Sequence, residues 1–277
     1  MSTQLGYSGY SSLDIAEQWY FSTDDLANTP SQCGSDYSSP NDKLVSFADE
    51  QERRLRGCNF IHNVVLRLNM HQFVASTACV FFHRFYMRQS LEKYHHYQIA
   101  GACVLLASKV EENKRSLQDI TRACANVASK GKTSEAEKSY KAWERLLKQQ
   151  EIALLENICF DVEIEHPYKS IDALGAEFGI PVYISKAATA HVNDCLRSTI
   201  CLRYRPTVIA AAALYLAIGI HKYTSEVNLF ESRIVEFPSN VEHETESCAM
   251  DMLGFYQREA EAEKQAKAQQ RIQRPSS

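Results

Sequence analysis

Residues 97–113 read YQIAGACVLLASKVEEN. Nine uncharged residues run from Ile99 to Ala107, and five of them are Gly, Ala or Cys. A helix that is apolar on every side is buried on every side. This one is too short to cross a bilayer, which takes roughly 20 apolar residues. Its small side chains let neighbouring helices approach closely, which predicts the central helix of a bundle. At Ser108-Lys109-Val110-Glu111-Glu112 the character turns polar, where the buried rod meets the surface.

A second copy lies downstream. Ile209–Ala217 reads IAAAALYLA beside IAGACVLLA at 99–107, with five of nine positions identical. Each copy follows a similar helical stretch, Phe73–Leu91 in one case and Lys186–Arg205 in the other. Internal similarity of this kind decides architecture. The prediction is an all-α chain of two tandem repeats, each a five-helix bundle around an all-small central helix.

Composition narrows the function classes. The 277 residues are 45% hydrophobic, enough for two modest cores. A net charge of −4 does not favour nucleic-acid binding. Nine cysteines, at 33, 58, 79, 103, 124, 159, 195, 201 and 248, form no C-x-x-C pair. Most sit in apolar helical runs, so they read as small hydrophobes in a reducing compartment. The N-terminus has no basic start before an apolar run, so the expectation is an intracellular protein without a signal peptide or membrane span.

Four segments follow. Residues 1–41 form an N-terminal segment, polar and disordered over 1–12, with Trp19-Tyr20-Phe21 packing back onto the first repeat and Ser22 capping a short helix. The first repeat spans 42–165. Its helices are expected at Lys43–Leu66 (with Leu44, Phe47, Leu55, Cys58, Ile61, Val64 and Val65 inward), Phe73–Gln89, the central helix, Leu117–Val127, and a fifth opened by a Ser134-x-x-Glu137 capping box. That fifth helix carries Trp143, Leu147, Leu154 and Ile158 on one stripe. The second repeat spans 166–257, with helices at Tyr168–Phe178, Ser185–Cys201, Thr207–Lys222 and Glu244–Gln257, and weak periodicity over Val227–Val241. Residues 258–277 form a charged tail, a frayed helix or disordered.

Enzyme chemistry finds no foothold. Gly131-Lys132-Thr133 resembles the end of a phosphate loop, but position 126 is Asn and no strand precedes it. His95-His96 reads as a solvated loop pair, since no Cys or carboxylate cluster joins it to make a metal site. No zincin, serine-hydrolase or kinase signature is present. The expectation is a binding protein, with no catalytic residue, cofactor or metal.

The residues resemble the transcriptional cyclins of the K and T types, or a fungal-type kinase β subunit. Trp19-Tyr20-Phe21 with Leu26-Ala27-Asn28-Thr29-Pro30-Ser31 is similar to the segment that opens these cyclins. His83-Arg84-Phe85-Tyr86-Met87, Leu106–Glu112 and Glu165-His166-Pro167-Tyr168 resemble their second helix, central helix and junction between boxes. Val192-Asn193-Asp194-Cys195-Leu196 is most like the K type. The resemblance covers about residues 15–256.

It implies a non-catalytic nuclear subunit that binds and activates a cyclin-dependent kinase acting on the C-terminal domain of RNA polymerase II, with a third accessory subunit as a further possible partner. It also implies that Lys109 and Glu151 bracket the kinase's regulatory helix. Glu111, Glu112, Phe85, Val110 and Leu147 complete the expected kinase contact. Two family features of cell-cycle cyclins are missing. His83 stands where they carry an Asp paired with a buried Arg, and their Met-Arg-Ala-Ile-Leu docking patch is absent, which argues against Arg-x-Leu substrate docking. The alternative is a nucleic-acid- or polymerase-binding scaffold of the TFIIB type. It is disfavoured by the lack of paired cysteines and of a strongly basic second repeat.

Overall fold

The computed structural model describes residues 18–34, 43–220 and 239–272. The expectations for 1–12, for 35–41 and for most of 227–241 lie outside the described residues. Every regular element among those described is helical. They are α1 (Thr23–Leu26), α2 (Pro30–Cys33), α3 (Phe47–Arg67), α4 (Gln72–Phe85), α5 (His96–Val110), α6 (Leu117–Ala128), α7 (Thr133–Asn157), α8 (Tyr168–Glu177), α9 (Val182–Cys195), a 3-10 turn (Thr199–Leu202), α10 (Pro206–Ile220) and α11 (Ser239–Ile272).

The first repeat is the bundle α3–α7. Its axle is α5, buried continuously from Ile99 to Ser108 and packed on α3, α4 and α7. Gly101 lets α6 and α7 close onto this rod. A Cβ there would sit 2.9 Å from Leu147 Cδ2 and 3.2 Å from Cys124 Sγ. Gly57 of α3 is tighter still, since a Cβ would meet the Phe82 ring at 2.1 Å. In the second repeat α10 plays the same part, packed on α8, α9 and α11 and buried over Val208–Leu214. There Ala211 stands where the first repeat has Gly101. Each repeat holds its own hydrophobic core, and Val80 of α4 reaches into the second.

Helix starts follow local chemistry. Ser22, Ser46 and Ser116 each accept a backbone N–H from the residue three ahead, the N-cap arrangement. The expected box at Ser134 does not form. Helix α7 begins at Thr133 behind Lys132, with no side-chain cap. Leu44 and Phe47 are also corrected, being 63% and 51% exposed at the α3 start. His95 is no bystander, because its Nδ1 caps α5 through the Tyr97 N–H at 3.3 Å and its ring stacks on His96. Helix α9 stops at Cys195, short of the expected Cys201, and α11 runs on to Ile272.

Trp19 packs back as expected and is 1% exposed. Its Nε1 donates to Asp161 Oδ2 at 2.7 Å, and the guanidiniums of Arg84 and Arg88 lie over its ring at 4.8 Å each. The Phe21 N–H then bonds Leu202 O at 2.7 Å, so the N-terminal segment reaches across to the second repeat. Tyr168 joins the repeats a second time. It hydrogen-bonds Ser76 of α4 and Asn193 of α9, both at 2.6 Å.

Candidate functional site

Lys109 and Glu151 come from different helices and meet. Lys109 is one residue from the C-terminal end of α5, where backbone carbonyls favour a cation. Its Nζ donates to Glu151 Oε1 of α7 at 2.5 Å, with side-chain exposures of 50% and 18%. Glu151 sits at the seam of α7. Leu147 and Leu154, four residues before and three after, are wholly buried. On its other side Ile152 is 62% exposed and Leu155 is half-buried. The pair therefore marks the line where the core stripe gives way to the outer face.

Beyond α7 the backbone turns back on itself. Cys159 and Phe160 both adopt left-handed conformations, at φ 56 and 57. The Cys159 and Phe160 N–H groups bond Glu156 O and Leu155 O, which closes the helix end. Bulky residues in that region cost about 1–3 kcal/mol each. The strain leaves Phe160 67% exposed, an apolar ring held out at the end of the same helix. Glu112, just past α5, is left-handed too, at φ 52.

The other expected contact residues divide. Val110 is half-buried against the first core. Glu112 is exposed. Glu111 turns toward the second repeat, accepting from Thr77 Oγ1 at 2.5 Å with His166 Nε2 at 3.8 Å. Phe85 and Leu147 are both 0% exposed, so neither can touch a partner in this conformation. Phe81, Phe82 and Val104 are buried likewise. Ile152 and Phe160 were not singled out from sequence. The first was within reach of a helical wheel centred on Glu151.

The buried arginine of the first helix is Arg54, and it finds partners without an Asp at 83. Its Nε donates to Glu50 Oε1 at 2.7 Å, and its Nη groups donate to the carbonyls of His83 and Tyr86. Glu50 also accepts from Thr29 Oγ1 at 2.5 Å. Burial and the Arg54 charge hold the His83 ring down to about 3, so it is neutral at physiological pH.

Two family models match this chain, the cyclin N-terminal domain over residues 29–163 and the cyclin C-terminal domain over residues 183–276. The chain belongs to the cyclin family. This cyclin is 39% identical over 216 residues to cyclin pch1 of Schizosaccharomyces pombe, covering 76% of this chain and 59% of that one. It is 33% identical over 213 residues to human cyclin-K, covering 74% of this chain and 34% of the relative. This cyclin spans only about a third to three-fifths of the length of these relatives. In fold it is similar to a chain of the yeast RNA Pol II CTD kinase CTDK-1 complex, with a TM-score of 0.65 and 18% identity over 86% of this chain and 72% of that one. A chain of the yeast TFIIK (Kin28/Ccl1/Tfb3) complex matches with a TM-score of 0.62 and 17% identity, over 88% of this chain and 99% of that one.

Proposed function

We propose that this cyclin is the non-catalytic subunit of a cyclin-dependent kinase complex, acting in the nucleus on the C-terminal domain of RNA polymerase II. The observation that carries this reading is the Lys109–Glu151 pair, formed between α5 and α7 at 2.5 Å and open to solvent. The family membership supports it, as do the names of the relatives and of the structural neighbours.

The mechanism is a population shift. A protein kinase is competent only when its catalytic Lys pairs with a Glu on a mobile regulatory helix. The surface around Lys109 and Glu151 offers a cation and an anion side by side, with Ile152 and Phe160 as exposed apolar anchors. Such a surface binds the inward position of that helix better than the outward one. It shifts the kinase by no more than this difference in affinity. A third subunit is compatible with the scheme but is not needed for it.

Truncating one member of a desolvated interfacial charge pair costs about 2–5 kcal/mol. That is roughly thirty-fold to several-thousand-fold in affinity. Lys109→Ala and Glu151→Ala are therefore expected to strip kinase activity from the co-purified complex while the helical circular dichroism stays intact. Full activity in both variants removes the reading.

A further inference from the structure

A cavity of about 440 Å³ opens where the N-terminal segment, the first repeat and the second repeat meet. That lies within the roughly 300–1,000 Å³ of small-ligand sites. Trp19, Tyr20, Arg84, Glu163, Glu165 and His166 are among its lining residues, with Ile164 and Ile209 supplying apolar wall. Lys109 and Glu151 do not line it, so it is separate from the proposed kinase contact.

Two lining side chains, His166 and Arg84, each carry a buried atom without a partner. The His166 side chain is only 8% exposed, and its Nδ1 has no hydrogen-bond partner. Its proton can be assigned from the neighbours. Thr77 has one hydroxyl proton and lies 2.5 Å from Glu111 Oε1 and 2.7 Å from His166 Nε2. An ionised carboxylate only accepts, so Thr77 donates to Glu111 and must accept from His166 Nε2–H. Burial keeps the imidazole neutral at physiological pH, holding it down to about 4. Nδ1 is then a bare acceptor. A buried acceptor left unpaired is unfavourable, so a donor that reaches it gains a bond.

The charged lining residues are mostly acidic, Asp161, Glu163 and Glu165 beside the single base Arg84. Arg84 is compensated by Asp161 at 3.4 Å, and both line the cavity. Glu163 and Glu165 are exposed at the rim. Arg205, near enough to Tyr20 to act on its phenol, is not among the lining residues. The Arg84 Nε is also buried without a partner, a donor suited to a peptide carbonyl. An acceptor nitrogen, two rim carboxylates and the rings of Tyr20 and Tyr204 together fit a planar, donor-only cation. Guanidinium has five N–H donors in a fixed fork and stacks on aromatic faces.

We propose that this junction cavity is a docking site for an arginine side chain presented by an extended segment of a partner protein. The guanidinium donates to His166 Nδ1 and pairs with Glu163 and Glu165, and a carbonyl beside it accepts from Arg84 Nε. The N-terminal segment, tied to both repeats through Trp19 and Phe21, forms one wall of the site.

The test is fluorescence anisotropy with the full chain and three fluorescein-labelled peptides of sequence GSVXVSG, where X is arginine, citrulline or phosphoserine. The arginine peptide is expected to saturate, and the isosteric uncharged citrulline peptide to bind at least tenfold more weakly. The Glu163→Gln/Glu165→Gln protein, altered only at exposed positions, should lose at least tenfold for the arginine peptide. In ¹⁵N-histidine-labelled protein, that peptide should shift the His166 Nδ1 resonance. Lys109→Ala protein should bind the peptide as wild type does, which separates this proposal from the kinase reading. Equal binding of arginine and citrulline peptides overturns it. So does a preference for phosphoserine, or no saturation up to about 1 mM, where binding is worth only about 4 kcal/mol.

Discussion

Leu147 and Ile152 are five residues apart on α7 and do opposite jobs. Leu147 is 0% exposed and fills the space left by Gly101, while Ile152 is 62% exposed beside Glu151. Leu147→Ala is expected to cost about 2–5 kcal/mol in urea unfolding, the usual range for a buried leucine. Ile152→Ser should leave the unfolding curve within about 0.5 kcal/mol of wild type, yet weaken capture of the kinase. A stable Leu147→Ala protein, or a destabilised Ile152→Ser protein, contradicts this assignment of faces. His83 makes a prediction in pH. Its folded value of about 3 lies below the ordinary 6.5, so between those values the unfolded chain binds more protons. Stability therefore rises with pH across that window and is lost on acidification, with a slope of up to about 1.4 kcal/mol per pH unit from this residue. His166, held at about 4, adds in the same direction. Chemical denaturation at pH 7, 6 and 5 should show the decline beginning near 6.5, above the range of ordinary carboxylates. A curve flat down to pH 5 contradicts it.

At the scale of elements, the closest approach is α3 on α4 at Gly57. Alanine there gains about 1 kcal/mol of helix propensity over glycine. It also drives a methyl to 2.1 Å from the Phe82 ring, which is itself 0% exposed. Overpacking of this kind costs about 1–3 kcal/mol, and a contact this short belongs at the top of that range. Gly57→Ala should therefore lower the melting temperature, and an unchanged or higher value contradicts the packing. The elements also show what could be read from sequence. The axles α5 and α10 were legible because Ile99–Ala107 and Val208–Leu214 carry no charged or polar side chain, so no face had to be chosen. The partly polar α7 was harder. Leu147 and Ile152 lie on either side of Glu151, and a stripe of apolar residues does not say which side faces the core. Phe85 went to the kinase contact on family likeness although its helix is buried along most of its length. The Ser134 box failed because the helix starts one residue earlier, behind Lys132. Phe160 gave no signal, since its exposure comes from a backbone reversal that no pattern encodes.

For the whole molecule, the question is whether two repeats act as one body. Tyr168 sits at their junction, donating to Asn193 Oδ1 and so accepting from Ser76. Tyr168→Phe leaves both partners without that oxygen, a loss of about 1–3 kcal/mol. The expected readout is a lower urea midpoint for the single transition of the whole chain, and an unchanged midpoint contradicts the coupling. The central claim concerns the outer surface, where Lys109 and Glu151 already satisfy each other. An exposed pair of this kind adds only about 0–1 kcal/mol to folding, so its purpose must lie elsewhere. The most direct measurement is kinase activity of the complex formed by the charge-swapped Lys109→Glu/Glu151→Lys protein. The swap keeps the internal ion pair but reverses what the kinase meets. The account predicts wild-type melting with activity reduced at least about thirty-fold. Wild-type activity from the swapped protein would contradict it.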